Sequence, residues 1–467
     1  MSTRLDSSIT VGLIVAIVFT ALAHGAVEAW SIAIFELIVL VLMMMWAVKA
    51  IADGRLKATI PTTALPVAAL VAVGLAQSAA FSDSNGRRLS LSMDVEATRA
   101  TVIALLFLLA AFVIAANFFA NRERLRALAN FLVIYGLAMA VFALVQHFTW
   151  NGRFYWLRPD IWQSTSPFGP FSNHNHFAGY MELLISVPVA LIVARSVRVE
   201  TRLFYSFAAA MMGVAAVMSL SRGGMISLAA ELIFIMVVSV RLGSNDEGGR
   251  ARDEGGMGRF PSSYFILMRV GTVVAIVVAI AVGVLWIGAD PVINRITRGR
   301  LVSADPQVET FLASRGWIWI DTLAMIRANL FSGVGLGAFQ TAHPIYSRGN
   351  GWEVIGQAHN DYLQVLADCG IVGGAIALWF IVSTCRAVAR GIRSRDPLLA
   401  GLALGSGASI FGILVHSLFD FNLQLPSHAL LFLFFSAVAW HIGTTAAEPT
   451  TQRAARMNAA TGFARVA

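Results

Sequence analysis

The sequence predicts an all-α polytopic membrane protein of about 12 transmembrane helices, with a large periplasmic loop that contains an amphipathic helix. Three observations predict it. Of 467 residues, 57% are hydrophobic and only 13% charged, whereas a soluble domain carries about 25% charged residues. The apolar residues come in blocks of roughly 20, the length a helix needs to cross about 30 Å of hydrocarbon, and mean hydropathy is +0.72. The basic residues lie in short connections between blocks, so the net charge of +8 reads as topology signals and not as a nucleic-acid surface.

Taken in order, spans are expected at 9–27, 30–50, 60–81, 99–119, 127–147, 177–195, 203–220, 223–241, 264–288, 361–385, 397–419 and 426–442. Arg4 before the first span and Ala21-Leu22-Ala23 within it also suit a cleaved signal peptide. The apolar stretch runs on without a marked polar region, so a retained helix is expected. Five connections hold Lys49/Arg55/Lys57, Arg122/Arg124/Arg126, Arg195/Arg198/Arg202, Arg241/Arg250/Arg252/Arg259 and Arg386/Arg390/Arg393/Arg395. With twelve spans these fall on one side together with both termini, and the positive-inside rule makes that side cytoplasmic.

The other side receives 82–98, 148–176, the Leu220-Ser221-Arg222 turn, 289–360 and 420–425. The segment 289–360 is by far the longest, and connections of that length tend to be functional. The Gly-, Asp-, Glu- and Arg-rich segment 242–262 reads as a flexible solvated linker, and the tail after about 443 as disordered. Cys369 and Cys385 share one span, which leaves no disulfide framework and no CxxC metal pattern.

Several polar groups on the non-cytoplasmic side could carry chemistry. In Ser221-Arg222-Gly223-Gly224, Ser221 suits an N-cap; unpaired N–H groups plus an arginine make an anion site, or else the arginine snorkels to head groups. Residues 309–330 can form an amphipathic helix with Leu312, Gly316, Trp319, Leu323, Ile326 and Leu330 on one face. Asp321 then points away and Arg315 lies at the margin, as an ordinary surface arginine or as a phosphate ligand. The stretch Ser332-Gly333-Val334-Gly335-Leu336-Gly337 resembles a nucleotide loop only superficially, because no strand precedes it.

His359-Asn360-Asp361 precedes the tenth span. Asn360 or Asp361 can cap that helix, and His359 can accept a proton near neutral pH or serve structure alone. Asn173-His174-Asn175-His176 offers a His-x-His pair, but no HExxH and no third ligand of fixed spacing accompany it, so no metal is expected. His416 and Asp420 can share a helical face; Asp420 can orient a histidine or an arginine, or simply cap. Within the spans, Glu182 is a candidate by position alone.

An ordered set of motifs resembles the O-antigen ligase and polysaccharide polymerase superfamily. These are GPFSNHNHFAGY over 169–180, SLSRGG over 219–224, SRGWIWIDTLAMIRANLFSGVGLGAF over 314–339, AHNDYLQVLADCGIVGG over 358–374 and HSLFDFNLQLPSH over 416–428. The resemblance covers about 165–440. It divides the chain into N-terminal helices (1–165), a ligase-like region with its periplasmic loop (166–442) and a cytoplasmic tail (443–467).

The resemblance implies a multi-pass glycosyltransferase of the bacterial inner membrane that needs no metal or other cofactor. Its donor is a glycan on undecaprenyl diphosphate, and its acceptor is a hydroxyl of a glycan or of lipid A–core. Carried over by motif, the catalytic roles fall on His359, Arg315 and Arg222, with Asn175, His176, Asn360 and Asp420 as substrate-binding candidates. Two other classes compete. A transporter or flippase of an anionic lipid-linked substrate suits twelve spans, but no paired Gly/Pro-broken spans in matching halves support it. A metal-dependent hydrolase would be inactivated by chelators.

Overall fold

The apolar blocks fold as helices because a chain in hydrocarbon must satisfy its backbone hydrogen bonds within itself. A computed structural model describes residues 2–82, 88–160, 167–250, 262–289, 292–293, 311–348 and 354–447. In chain order the helices are α1 (Ser2–Leu22), α2 (Ala29–Ala52), α3 (Leu65–Ser78), α4 (Val95–Phe118), α5 (Arg122–Phe148), α6 (His174–Val193) and α7 (Val199–Met218). They continue with α8 (Arg222–Arg250), α9 (Ser262–Ile287), α10 (Phe311–Ala328), α11 (Phe339–Tyr346), α12 (Asp361–Gly391), α13 (Pro397–His416) and α14 (Pro426–Ala447). Two antiparallel ribbons add β1 (Phe81–Ser82) with β2 (Arg88–Leu89), and β3 (Arg153–Phe154) with β4 (Arg158–Pro159).

Eleven of these helices are long and apolar enough to cross a membrane. The third expected span is present but shorter, at Thr62–Ser78. The chain is thus an all-α polytopic membrane protein, close to the expected pattern. Side-chain caps set several starts: Asp94 accepts the Ala97 N–H at 2.9 Å, Asn121 that of Arg124 at 2.8 Å, and Asp396 that of Leu398 at 2.9 Å.

The centre of the bundle is α6, which is buried from His176 to Val193 and packs chiefly against α13 and α7. Small residues on α13 let the two backbones approach. A Cβ on Gly401 would stand 3.0 Å from Ala194 Cβ, and one on Gly405 3.3 Å from Val187 Cα. One turn further, Ser409 Oγ donates to the Leu183 carbonyl at 2.8 Å. At one end of the bundle, Asp6 pairs with Lys49 at 3.3 Å and with Arg124 at 2.9 Å, and Arg122 pairs with Asp396. Three of the five basic connections expected to share a side, those of Lys49, Arg122/Arg124 and Arg386/Arg390/Arg393/Arg395, therefore meet at one end.

Three expectations change. Helix α8 runs on to Arg250, so the start of the segment read as a linker is helical; 251–261 and the tail beyond Ala447 lie outside the described residues. Helix α12 breaks at Gly370, whose φ of 61° and ψ of −160° are not helical. Its second leg, 371–391, is about 31 Å long and crosses by itself. The first leg joins the end of α13, where Asp361 N–H donates to the Ser417 carbonyl at 3.0 Å, to the end of α3, where Gln77 Nε2 donates to the Asp368 carbonyl at 2.9 Å.

The third change is in α10, where the residues expected on one apolar face are divided. Leu323 and Leu330 are both 43% exposed, whereas Ile326 is buried with Met325 against Val334, Ala338 and Phe339. Arg315, expected at the margin of that face, is buried, and Asp321, expected to point away from it, is 4% exposed and lies 4.0 Å from His343. The side chain of Leu312 falls outside the described residues.

The glycine-rich stretch after α10 is a structural clasp. Val334 and Gly335 N–H groups donate to the Ala367 and Asp368 carbonyls at 2.9 and 3.0 Å, Leu336 N–H to Gln77 Oε1 at 2.9 Å, and Met93 N–H to the Val334 carbonyl at 2.8 Å. Two backbones cross so closely that only glycine fits on either side. A Cβ on Gly333 would stand 2.3 Å from the Asp368 carbonyl, and one on Gly370 2.4 Å from that of Phe331.

Candidate active site

Asp420 sits just past the end of α13, in the turn leading to α14, and is 1% exposed. Its N–H donates to the His416 carbonyl at 3.1 Å, so the last turn of α13 fixes where the carboxylate begins. From α6, Asn175 Nδ2 donates to Asp420 Oδ2 at 2.7 Å. From α10, Arg315 Nη2 reaches the same oxygen at 3.3 Å. From the residue before the α12 cap, His359 Nδ1 lies 3.4 Å from Oδ1, which also accepts the Phe421 N–H at 2.9 Å. One buried carboxylate thus gathers side chains from three parts of the chain that are more than 40 residues apart in sequence.

Burial alone would raise the Asp420 pKa. The His359 hydrogen bond, then the fields of His176, Arg315 and His359, outweigh it and hold the carboxyl well below the usual range. Exposure divides the roles of the cluster. The Arg315 and Asp420 side chains are 10% and 1% exposed, whereas that of His359 is 29% exposed. His359 is the most solvent-accessible of the three.

The backbone at His359 has φ of 49°, in the left-handed region. Such a residue persists when its surroundings over-determine it. On one side Trp319 Nε1 donates to the Ala358 carbonyl at 3.1 Å. On the other, Asn360 Oδ1 accepts the N–H groups of Tyr362 and Leu363, both at 3.0 Å, and its Nδ2 donates to the Leu418 carbonyl at 3.1 Å. Asn360 therefore uses both side-chain polar atoms in the fold and braces the backbone on which His359 stands.

Arg222 opens α8. Ser221 caps it as expected, its Oγ accepting the Gly224 N–H at 3.1 Å. This turn is seated on a buried pair, since His416 Nδ1 lies 3.0 and 3.2 Å from the two oxygens of Glu182. A Cβ on Gly223 would stand 3.0 Å from the His416 ring, and one on Gly224 2.6 Å from Ala178 Cβ and 3.2 Å from Glu182 Oε1. The chain next to Arg222 thus touches the ring of the residue whose carbonyl holds Asp420.

His416 was expected to share a face with Asp420; its ring pairs with Glu182 instead, because α13 ends at His416 and Asp420 lies beyond the helix. In the Asn-His-Asn-His motif it is Asn175 that reaches Asp420, while the buried His176 ring packs edge-on against Phe421, 5.0 Å between centroids. His359 packs on the same Phe421 at 4.9 Å. Among the described residues, no group of three or more His, Cys, Asp or Glu is arranged to hold a metal ion. The Glu182–His416 seat is what sequence reasoning missed as a pair. One signal was available: Glu182 lies seven residues after Asn175, two turns along the same face of α6.

Beside the cluster, the first leg of α12 borders an apolar groove of about 240 Å³ between α3, α4, the second leg of α12 and α14. Asp361, Ser417 and Gln424 line its end nearest Asp420, and Leu105, Ile376 and Phe432 its apolar wall.

Residues 207–378 match the family model described as O-antigen ligase. The match takes in Arg222, Arg315 and His359, and stops short of Asn175 on one side and Asp420 on the other. No curated protein matches the chain.

Proposed function

We propose that the chain, whose residues 207–378 match the O-antigen ligase model, transfers a glycan from undecaprenyl diphosphate to an acceptor hydroxyl at the periplasmic face of a bacterial inner membrane. The family match supports a ligase or polymerase type of function; the donor, the acceptor class and the reacting face are what the resemblance implies, and the residue types of the site suit them. The observation that carries the reading is the convergence of Arg315 and His359 on buried Asp420, beside the turn that presents Arg222.

His359 takes the proton of the acceptor hydroxyl as that oxygen attacks the anomeric carbon. The bond from the anomeric carbon to the diphosphate oxygen breaks, and its electron pair leaves with the lipid diphosphate. Arg222 and Arg315 neutralise the charge that develops there. A guanidinium has five donors and can hold Asp420 and a phosphate oxygen together. Asp420, accepting Nδ1–H, fixes the tautomer in which Nε2 carries the lone pair, and steadies the imidazolium that forms. A single displacement inverts the anomeric centre and needs no carboxylate nucleophile. The apolar groove beside the cluster takes the polyprenyl chain. The acceptor is a lipid A–core sugar for a ligase, or another lipid-linked repeat for a polymerase.

The test is glycan transfer by the full chain in lipid nanodiscs, from an undecaprenyl-diphosphate-linked donor to each acceptor. Arg222→Ala, Arg315→Ala and His359→Ala, each checked for folding, should lose about 100-fold or more of the rate. Full activity in all three overturns the assignment, and movement of donor across vesicles without a covalent product makes the protein a transporter. Activity should be indifferent to chelators.

A further inference from the structure

At the end of the bundle opposite His359, α6, α7 and α9 border a cavity of about 420 Å³. Three arginines line its polar end: Arg195, just past α6, Arg202 in the first turn of α7, and Arg269 in α9. Each is held by the fold. Arg269 Nη1 donates to the Ser239 carbonyl at 2.6 Å, Arg202 Nε to the Val197 carbonyl at 3.4 Å, and Arg195 Nη2 lies 3.9 Å from Met268 Sδ. The rest of the lining is apolar, with Phe207, Ala210, Ile276 and Ala279. The slot closes just beyond, where a Cβ on Gly213 would stand 2.3 Å from Ile280.

The dimensions are those of one leaflet. From Arg269 to Ala279 the helix rises about 15 Å, half of the roughly 30 Å hydrocarbon core. Leu203 and Leu267, at the mouth, are 80% and 69% exposed, so the slot opens toward hydrocarbon. Three guanidinium groups at the membrane boundary, above an apolar slot one leaflet deep, complement a phosphate head group with an acyl chain beneath it. We propose that this cavity is a binding site for one anionic phospholipid, its phosphate held by Arg195, Arg202 and Arg269 and one acyl chain lying between α7 and α9. The site is separate from the glycan-transfer cluster and stands or falls independently of it.

Native mass spectrometry of the full chain, released from detergent with phosphatidylglycerol or with phosphatidylcholine of the same acyl chains, tests it. One phosphatidylglycerol should be retained about tenfold more strongly than phosphatidylcholine. The double variant R202Q/R269Q should lower that retention to the phosphatidylcholine level. Ala210→Trp, which fills the slot and keeps the arginines, should lower it as well, and inorganic phosphate should not compete. Equal retention of the two lipids, or unchanged retention in both variants, overturns the proposal. So does loss in the arginine variant alone with competition by phosphate, which would leave an anion patch without a lipid slot.

Discussion

Asp420 serves both Arg315 and His359 with one carboxylate, so removing its charge while keeping its shape is the sharpest probe of the site. Asp420→Asn leaves Arg315 and His359 in place but no longer fixes the His359 tautomer, and kcat should fall by about 100-fold to 10,000-fold. The pH dependence has a definite sign. The folded-state pKa of Asp420 is depressed, so its stabilisation is complete above the unfolded value of about 4 and is lost only as pH falls through the lower folded value. Denaturation midpoints of Asp420→Asn should therefore lie below wild type near neutral pH and converge on it in strong acid, as pH falls through the depressed folded value; equal midpoints at about pH 7 argue against an ionised, paired Asp420. His359, Arg315, Arg222, Asn175 and Asp420 were legible in the sequence as residues of one side, because span counting fixes sides. Their distances were not, since the closure of Asp420 on Arg315 spans 105 residues. The Glu182–His416 pair, 234 residues apart, was hidden for the same reason.

At the scale of elements, span boundaries were readable because hydrocarbon thickness dictates helix length, and most helices begin within a few residues of their expected starts. The phase of α10 was not. Its buried side mixes Met325 and Ile326 with Arg315 and Asp321 while Leu323 and Leu330 stay exposed, and a face of mixed polarity leaves no clean 3.6-residue signal to read. The break in α12 was equally invisible, because Gly370 lies inside one expected span and only its partner Gly333, 37 residues earlier, explains it. Gly370→Ala should cost about 1–2 kcal/mol for the left-handed backbone, and about 1–3 kcal/mol more for forcing the Phe331 carbonyl away. Thermal unfolding in detergent reads this directly. Because the same crossing anchors the leg that starts at Asp361, transfer activity should fall along with stability, whereas an alanine at Gly316, inside α10 where a Cβ meets nothing within 4 Å, should lower neither.

On the scale of the whole molecule, the buried α6 acts as a post around which the other spans hold the polar cluster at one end, and the proposed reaction requires a lipid-linked donor to reach that cluster while its lipid stays in the bilayer. The apolar groove between α3, α4, α12 and α14 offers such a lateral path, with its polar end next to Asp420 and its wall running down the second leg of α12. Ala377 lines that wall, about 10 Å along the leg from Gly370, too far down to touch the reacting groups. Ala377→Trp fills the groove there without altering His359, Arg315 or Asp420. If the polyprenyl chain lies in the groove, the KM for a full-length undecaprenyl donor should rise about tenfold, the equivalent of losing about two buried CH₂ groups, while kcat at saturation stays near wild type. A donor whose isoprenoid is too short to reach Ala377 should show no change in either constant. Steady-state transfer with the two donors separates the outcomes: equal KM increases for both would mean a general distortion of α12, and no increase for either would place the lipid elsewhere on the bundle.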